Sequence, residues 1–82
     1  MTGADRTGFV RFQQDLARMA LSRGQLGAAR LALRYLRPED FSGSVVSETL
    51  LAVLRAPAST EDEVLRAVSA LIHLRPANHS LR

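Results

Sequence analysis

The stretch "LGAARLALRYLRP", residues 26–38, decides how the rest of the chain is read. At about 100° per residue, Leu26, Ala29, Leu33 and Leu36 form one apolar stripe on a helix. Ala28, Leu31, Ala32 and Tyr35 form a second stripe, nearly opposite. Arg30, Arg34 and Arg37 fill one of the gaps between them. A helix that is apolar on two sides packs against neighbours on two sides. The spacing therefore predicts a central bundle helix over about 25–36, open to solvent along its arginine stripe.

The flanking segments supply the neighbours. Upstream, Phe9, Phe12, Leu16, Met19 and Ala20 repeat with the helical period, and Arg11, Gln14, Asp15 and Arg18 occupy the other side. This predicts a helix over about 9–22, stopped at Gly24, after a flexible N-terminus of residues 1–8. Downstream, "RPEDFSGS" opens on Pro38, with Glu39 and Asp40 suited to a first helical turn. It reads as a loop with at most one turn of helix, in which Phe41 plugs the core before Gly43. Ser44 is placed to cap a helix over 45–55. Its Val46, Leu50, Val53 and Leu54 point one way, and Glu48, Ala52 and Arg55 another. "TEDE" is a capping box, with Thr60 as cap and Glu63 reaching back. The helix that follows, over 61–74, has a core face of Val64, Leu65, Val68, Leu71 and Ile72 and stops at Pro76. "ANHSLR" adds a last turn through Leu81. No segment alternates with the period of a strand. The expected fold is all-α: a compact antiparallel bundle of five to six helices, four substantial and two short, forming one domain over 9–82.

Composition narrows the class of function. The chain has 82 residues, enough for one small domain that buries about 60–65% of its unfolded surface. It has no Cys, so it forms no disulfide framework and no thiolate metal site, which favours a reducing compartment. The start "MTGADRTGFVRF" lacks the apolar core of a signal peptide, and the longest apolar run, "LLAVL", is far shorter than a membrane span. These features predict a soluble, cytoplasmic protein. Every basic side chain is Arg, for which a GC-rich genome is the plain explanation. Charge is unevenly divided. Residues 1–37 hold seven Arg against Asp5 and Asp15, a balance of +5; residues 38–82 hold four Arg against six carboxylates, a balance of −2. Such asymmetry suggests association.

Chemistry is not legible. The two histidines, His73 and His79, do not share a helix face and have no Cys to join them as metal ligands. No nucleophile elbow is present, and the glycines are too scattered to cradle phosphate. The expectation is a non-enzymatic chain with no catalytic residues, no metal and no cofactor. Arg30, Arg34 and Arg37 could lie along phosphates, which keeps a small helical nucleic-acid-binding protein as an alternative. Two features weigh against it: no base-reading Lys, Asn or Gln accompanies Arg34 on its helix, and no exposed aromatic residues for stacking are expected.

Surfaces remain. The basic face Arg30, Arg34 and Arg37 and the acidic face Glu61, Asp62 and Glu63 are complementary, so a basic patch on one copy can meet an acidic patch on the next. Such a contact is heterologous and builds open chains or rings. The order of segments resembles the death-fold superfamily, in particular death effector domains and bacterial effector-associated death-like domains. "FVRFQQDLARMALSRGQLGAARLALRYL" is similar to the first two helices of a death effector domain, "SETLLAVL" to the fourth, and "EVLRAVSALIHLRPANHSLR" to the fifth running into a short sixth. The ending "RPANHSLR" is similar to the P-x-N-x-x-L ending of the bacterial domains. The resemblance implies an adaptor that pairs with itself or with a related helical domain of an effector, in apoptosis-like or antiphage signalling. A second resemblance is to the tetratricopeptide repeat, through the small residues Gly24 and Ala29 and the closing Pro76; it implies a groove that binds a peptide without self-assembly.

Overall fold

The computed structural model describes residues 4–41 and 45–77. Four α-helices and one 3-10 turn make up the fold: α1 (Ala4–Ser22), α2 (Leu26–Arg34), the turn Pro38–Phe41, α3 (Val45–Arg55) and α4 (Glu61–Ile72). The described residues contain no strand. The described residues are thus all-helical, with four α-helices and one 3-10 turn where a bundle of five to six helices was expected. The Ser44 cap, Gly43 and the last turn through Leu81 lie outside the described residues. Pro38 opens one 3-10 turn, Pro38–Phe41, in line with the single turn of helix expected there.

Local signals set the helix ends. Gly24 adopts φ +71°, a conformation costly for any residue with a Cβ. The Gln25 N–H donates to the Ala20 carbonyl at 2.8 Å and the Gly24 N–H to the Leu21 carbonyl at 2.9 Å. This is a Schellman closure, which satisfies the last carbonyls of α1 and turns the chain into α2. At the start of α4, the Thr60 Oγ1 accepts from the Glu63 N–H at 3.2 Å and a Glu63 carboxylate oxygen accepts from the Thr60 N–H at 2.8 Å. The capping box read from "TEDE" is therefore formed.

Packing places α2 and α4 in the middle. Each touches the other three helices, whereas α1 and α3 do not touch each other. The core joins Val10, Ala17 and Ala20 of α1 to Ala29 and Leu33 of α2, Leu36 beyond the end of α2, Phe41 of the 3-10 turn, Leu51 and Leu54 of α3, and the Val64–Val68–Leu71 row of α4. Small residues on α1, above all Ala17, let that helix lie close against the others. Two expected faces are rotated, and the α4 face holds except at Leu65. On α1 the core row is Val10, Gln14 and Ala17, roughly 160° around the helix from Phe12, Leu16 and Met19, which are exposed. On α3 the row is Ser47, Leu51 and Leu54, so Val46 faces outward. On α4, Leu65 is not a core residue and stands 43% exposed.

The α1 rotation follows from polar bonds. Gln14 is buried, and its amide donates to the Leu71 and Leu74 carbonyls, both at 2.8 Å. These are among the carbonyls that the end of α4 leaves without helical partners. Helix α1 also begins at Ala4 rather than near Phe9, so the N-terminal segment is helical from Ala4 and not a loose end up to residue 8. Its first turn is held by Arg6, whose Nε and Nη2 donate to the two carboxylate oxygens of Asp40 at 2.7 and 2.8 Å. Arg6 also stacks over the Phe9 ring at 4.7 Å. The Arg37 N–H donates to the same carboxylate at 2.7 Å. The Asp40 carbonyl accepts from the Ala77 N–H, and the Thr7 hydroxyl donates to the Ala77 carbonyl. One buried aspartate thus joins the start of α1, the 3-10 turn and the strand of chain beyond α4. Burial pushes the Asp40 pKa up, but the hydrogen bonds from Arg6 and the Arg37 N–H outweigh it and hold the carboxyl below its ordinary range.

Candidate functional site

Helix α2 was expected to pack on two sides, and it packs on one. Ala29 and Leu33 are fully buried, while the opposite stripe is open: Leu31 is 52% and Tyr35 68% exposed. On α1, Phe12 and Met19 are likewise more than half exposed. The α1–α2 hairpin brings the two open stripes side by side. Between them runs a groove of about 400 Å³, lined by Leu16, Met19, Ala28, Leu31 and Tyr35, with Arg23 at the turn end. A second opening of about 390 Å³ continues past Leu31 and Tyr35 and is bordered by Arg34 and Arg55. No carboxylate lines either opening. An apolar floor with an arginine rim is therefore the main open surface of this hairpin. Scattered apolar residues are ordinary on a protein surface, but a contiguous set marks a place where another molecule can bind.

The three arginines expected to form one stripe do different things, and Arg37 lies beyond α2, which ends at Arg34. Arg30 is half-buried and reaches across to α3, donating to the Leu54 carbonyl at 2.7 Å and the Ala56 carbonyl at 3.1 Å. Arg55 of α3 returns the arrangement, donating to the Leu36 carbonyl at 2.6 Å and the Arg34 carbonyl at 3.1 Å. Each helix thus has its unpaired C-terminal carbonyls satisfied by a guanidinium, a favourable charge for that end of the dipole. The side chains of Arg34 and Arg37 are exposed and, among the described residues, have no ion-pair partner. The basic face is therefore not a uniform stripe: Arg30 serves the fold, and Arg34 borders the groove.

The acidic face divides in the same way. Glu61, Asp62 and Glu63 are all exposed in the first turn of α4. Glu63 is engaged in the capping box. Glu61 and Asp62 have no hydrogen-bond or ion-pair partner among the described residues. Leu65 lies one turn further along the same side of the helix, and neighbours at i+3 and i+4 share a face.

The remaining polar groups are accounted for by the fold. The Nδ1 of His73 lies 2.8 Å from the Ser69 carbonyl at the exposed end of α4; His79 lies outside the described residues. No described group of three or more His, Asp or Glu could hold a metal ion, and no described helix is long and apolar enough to cross a membrane. Sequence reading missed the groove. Its signal was present in the second apolar stripe of α2 and in Leu16 and Met19 of α1, but both were assigned to the core. The exposure of Phe12 and Tyr35 likewise corrects the expectation that no aromatic ring would be open. No known protein family, characterised protein or solved structure matches this chain.

Proposed function

We propose that this chain is a non-enzymatic protein-interaction module that associates with a second copy, or with a related helical domain, through complementary basic and acidic helix faces. The observation that carries this reading is that Arg34 and Arg37 on one side, and Glu61 and Asp62 on another, are exposed and form no ion pair among the described residues. The resemblance to death-fold domains points the same way. We take adaptor-type recruitment in apoptosis-like or antiphage signalling as the setting. An intracellular location goes with that proposal.

Charge complementarity orients partners more than it binds them. Each exposed pair contributes about 0–1 kcal/mol, so the ion pairs select register and exclude wrong partners. The test is mass in solution. Arg34→Glu should abolish assembly seen by light scattering while leaving the far-ultraviolet spectrum unchanged, and Glu61→Arg with Asp62→Arg in the same chain should partly restore it. An unchanged mass for Arg34→Glu refutes the reading. Steep, salt-dependent binding of duplex by a monomeric chain would favour nucleic acid instead.

A further inference from the structure

We propose that the groove between α1 and α2 is the apolar centre of that contact, and that its occupant is the Leu65 side of α4 from a second copy. This rests on the homotypic reading above and adds the part that ion pairs alone do not supply. The groove is lined by Leu16, Met19, Leu31 and Tyr35 with Arg23 at one end, and the adjoining opening past Leu31 and Tyr35 is bordered by Arg34 and Arg55; no carboxylate lines either. A matching ligand carries an apolar knob flanked by acids. This chain presents such a knob. Leu65 is 43% exposed, and Glu61 and Asp62 lie four and three residues before it, so all three share one side of α4. Arg66 stands four residues after Asp62 and borders it, so Glu61 is the acid beside Leu65 with no basic neighbour at i+3 or i+4.

The two surfaces cannot meet within one chain. Leu31 is opposite the buried Ala29 and Leu33, so the groove looks away from the core on α2. Leu65 is on the outer side of α4, whose Val64, Val68 and Leu71 point inward. A groove on one copy and a knob on the next make a heterologous contact, which propagates head to tail. It also explains why the Arg34 side chain has no partner among the described residues while Arg30 is bonded to α3. Arg34 is at the rim, where the acids of the incoming helix would arrive, and Arg30 is turned towards α3.

Because the contact is heterologous, two inactive variants should rescue each other. Sedimentation of the wild-type chain from low micromolar to about millimolar concentration should show mass rising with concentration. Leu31→Asp has a blocked groove and an intact knob; Leu65→Asp has the reverse. Each alone should stay monomeric, with self-association weakened at least tenfold, and their equimolar mixture should give a species of twice the monomer mass and no larger. Leu31→Gln and Leu65→Gln serve as the pair if either Asp variant loses helicity. A mixture that stays monomeric, or a Leu31 variant that assembles like wild type, overturns the groove proposal. If Arg34→Glu breaks assembly and neither leucine variant does, the charge reading stands and the groove proposal alone falls. A wild-type chain that is monomeric throughout overturns both.

Discussion

Asp40→Asn is the substitution from which the stability argument can be worked most fully. Asp40 is 1% exposed and accepts three hydrogen bonds, two from the Arg6 guanidinium and one from the Arg37 N–H. Asn keeps the shape but offers one acceptor oxygen, and its amide turns a donor towards another donor. At least one charge-assisted bond is lost, and such bonds contribute about 1.5–3 kcal/mol each. Arg6 keeps some access to water, with 28% of its side chain exposed, so it can be rehydrated in part. The expected loss is about 2–4 kcal/mol, against a total stability of about 4–12 kcal/mol for a chain of this length. At about 4–8 °C per kcal/mol, the Tm should fall by roughly 8–32 °C. Circular dichroism in urea is the suitable assay, because the chain has no Trp. The pH dependence gives a second, independent reading. The folded-state pKa of Asp40 is below its unfolded value of about 3.9, so its contribution is complete above that value and is lost as pH falls through the folded pKa. Asn does not titrate. The gap between wild type and variant should therefore be constant near neutrality and close in acid. A variant within about 0.5 kcal/mol of wild type at pH 7, or a gap that does not narrow at all with acidification, would refute the role assigned to Asp40.

Two further substitutions separate fold from surface. Arg30→Met should lose about 1–3 kcal/mol, because the Leu54 and Ala56 carbonyls lose a charged donor, whereas Arg34→Met should stay within about 0.5 kcal/mol of wild type in urea titrations of dilute protein. Equal losses for the two would contradict the division of the arginine stripe. Gly24→Ala should cost about 1–2 kcal/mol from backbone conformation alone, since a Cβ there meets no atom within 4 Å. A neutral result in thermal unfolding would show that the φ of +71° is not needed to end α1.

What the sequence determined by itself is local. Gly24 ends α1, Thr60 and Glu63 open α4, and the 3.6-residue spacing marks each of the four main helices, because caps and periodicity depend on residues a few positions apart. It also marked α2 as the helix with two apolar sides, and α2 does touch every other helix. Which side of each helix faces the core was a different matter. On α1, Phe12, Leu16 and Met19 make as regular a stripe as Val10, Gln14 and Ala17, and hydropathy prefers the former. The structure buries the latter, because Gln14 finds the Leu71 and Leu74 carbonyls and Ala17 permits close approach. Tertiary packing likewise separated Arg30 from Arg34 and Glu63 from Glu61, residues that look alike along the chain. Periodicity says that a face is apolar, and only the arrangement of the other helices says whether anything in the same molecule covers it. For the outer stripe of α2 nothing does, and that is why the groove lies there.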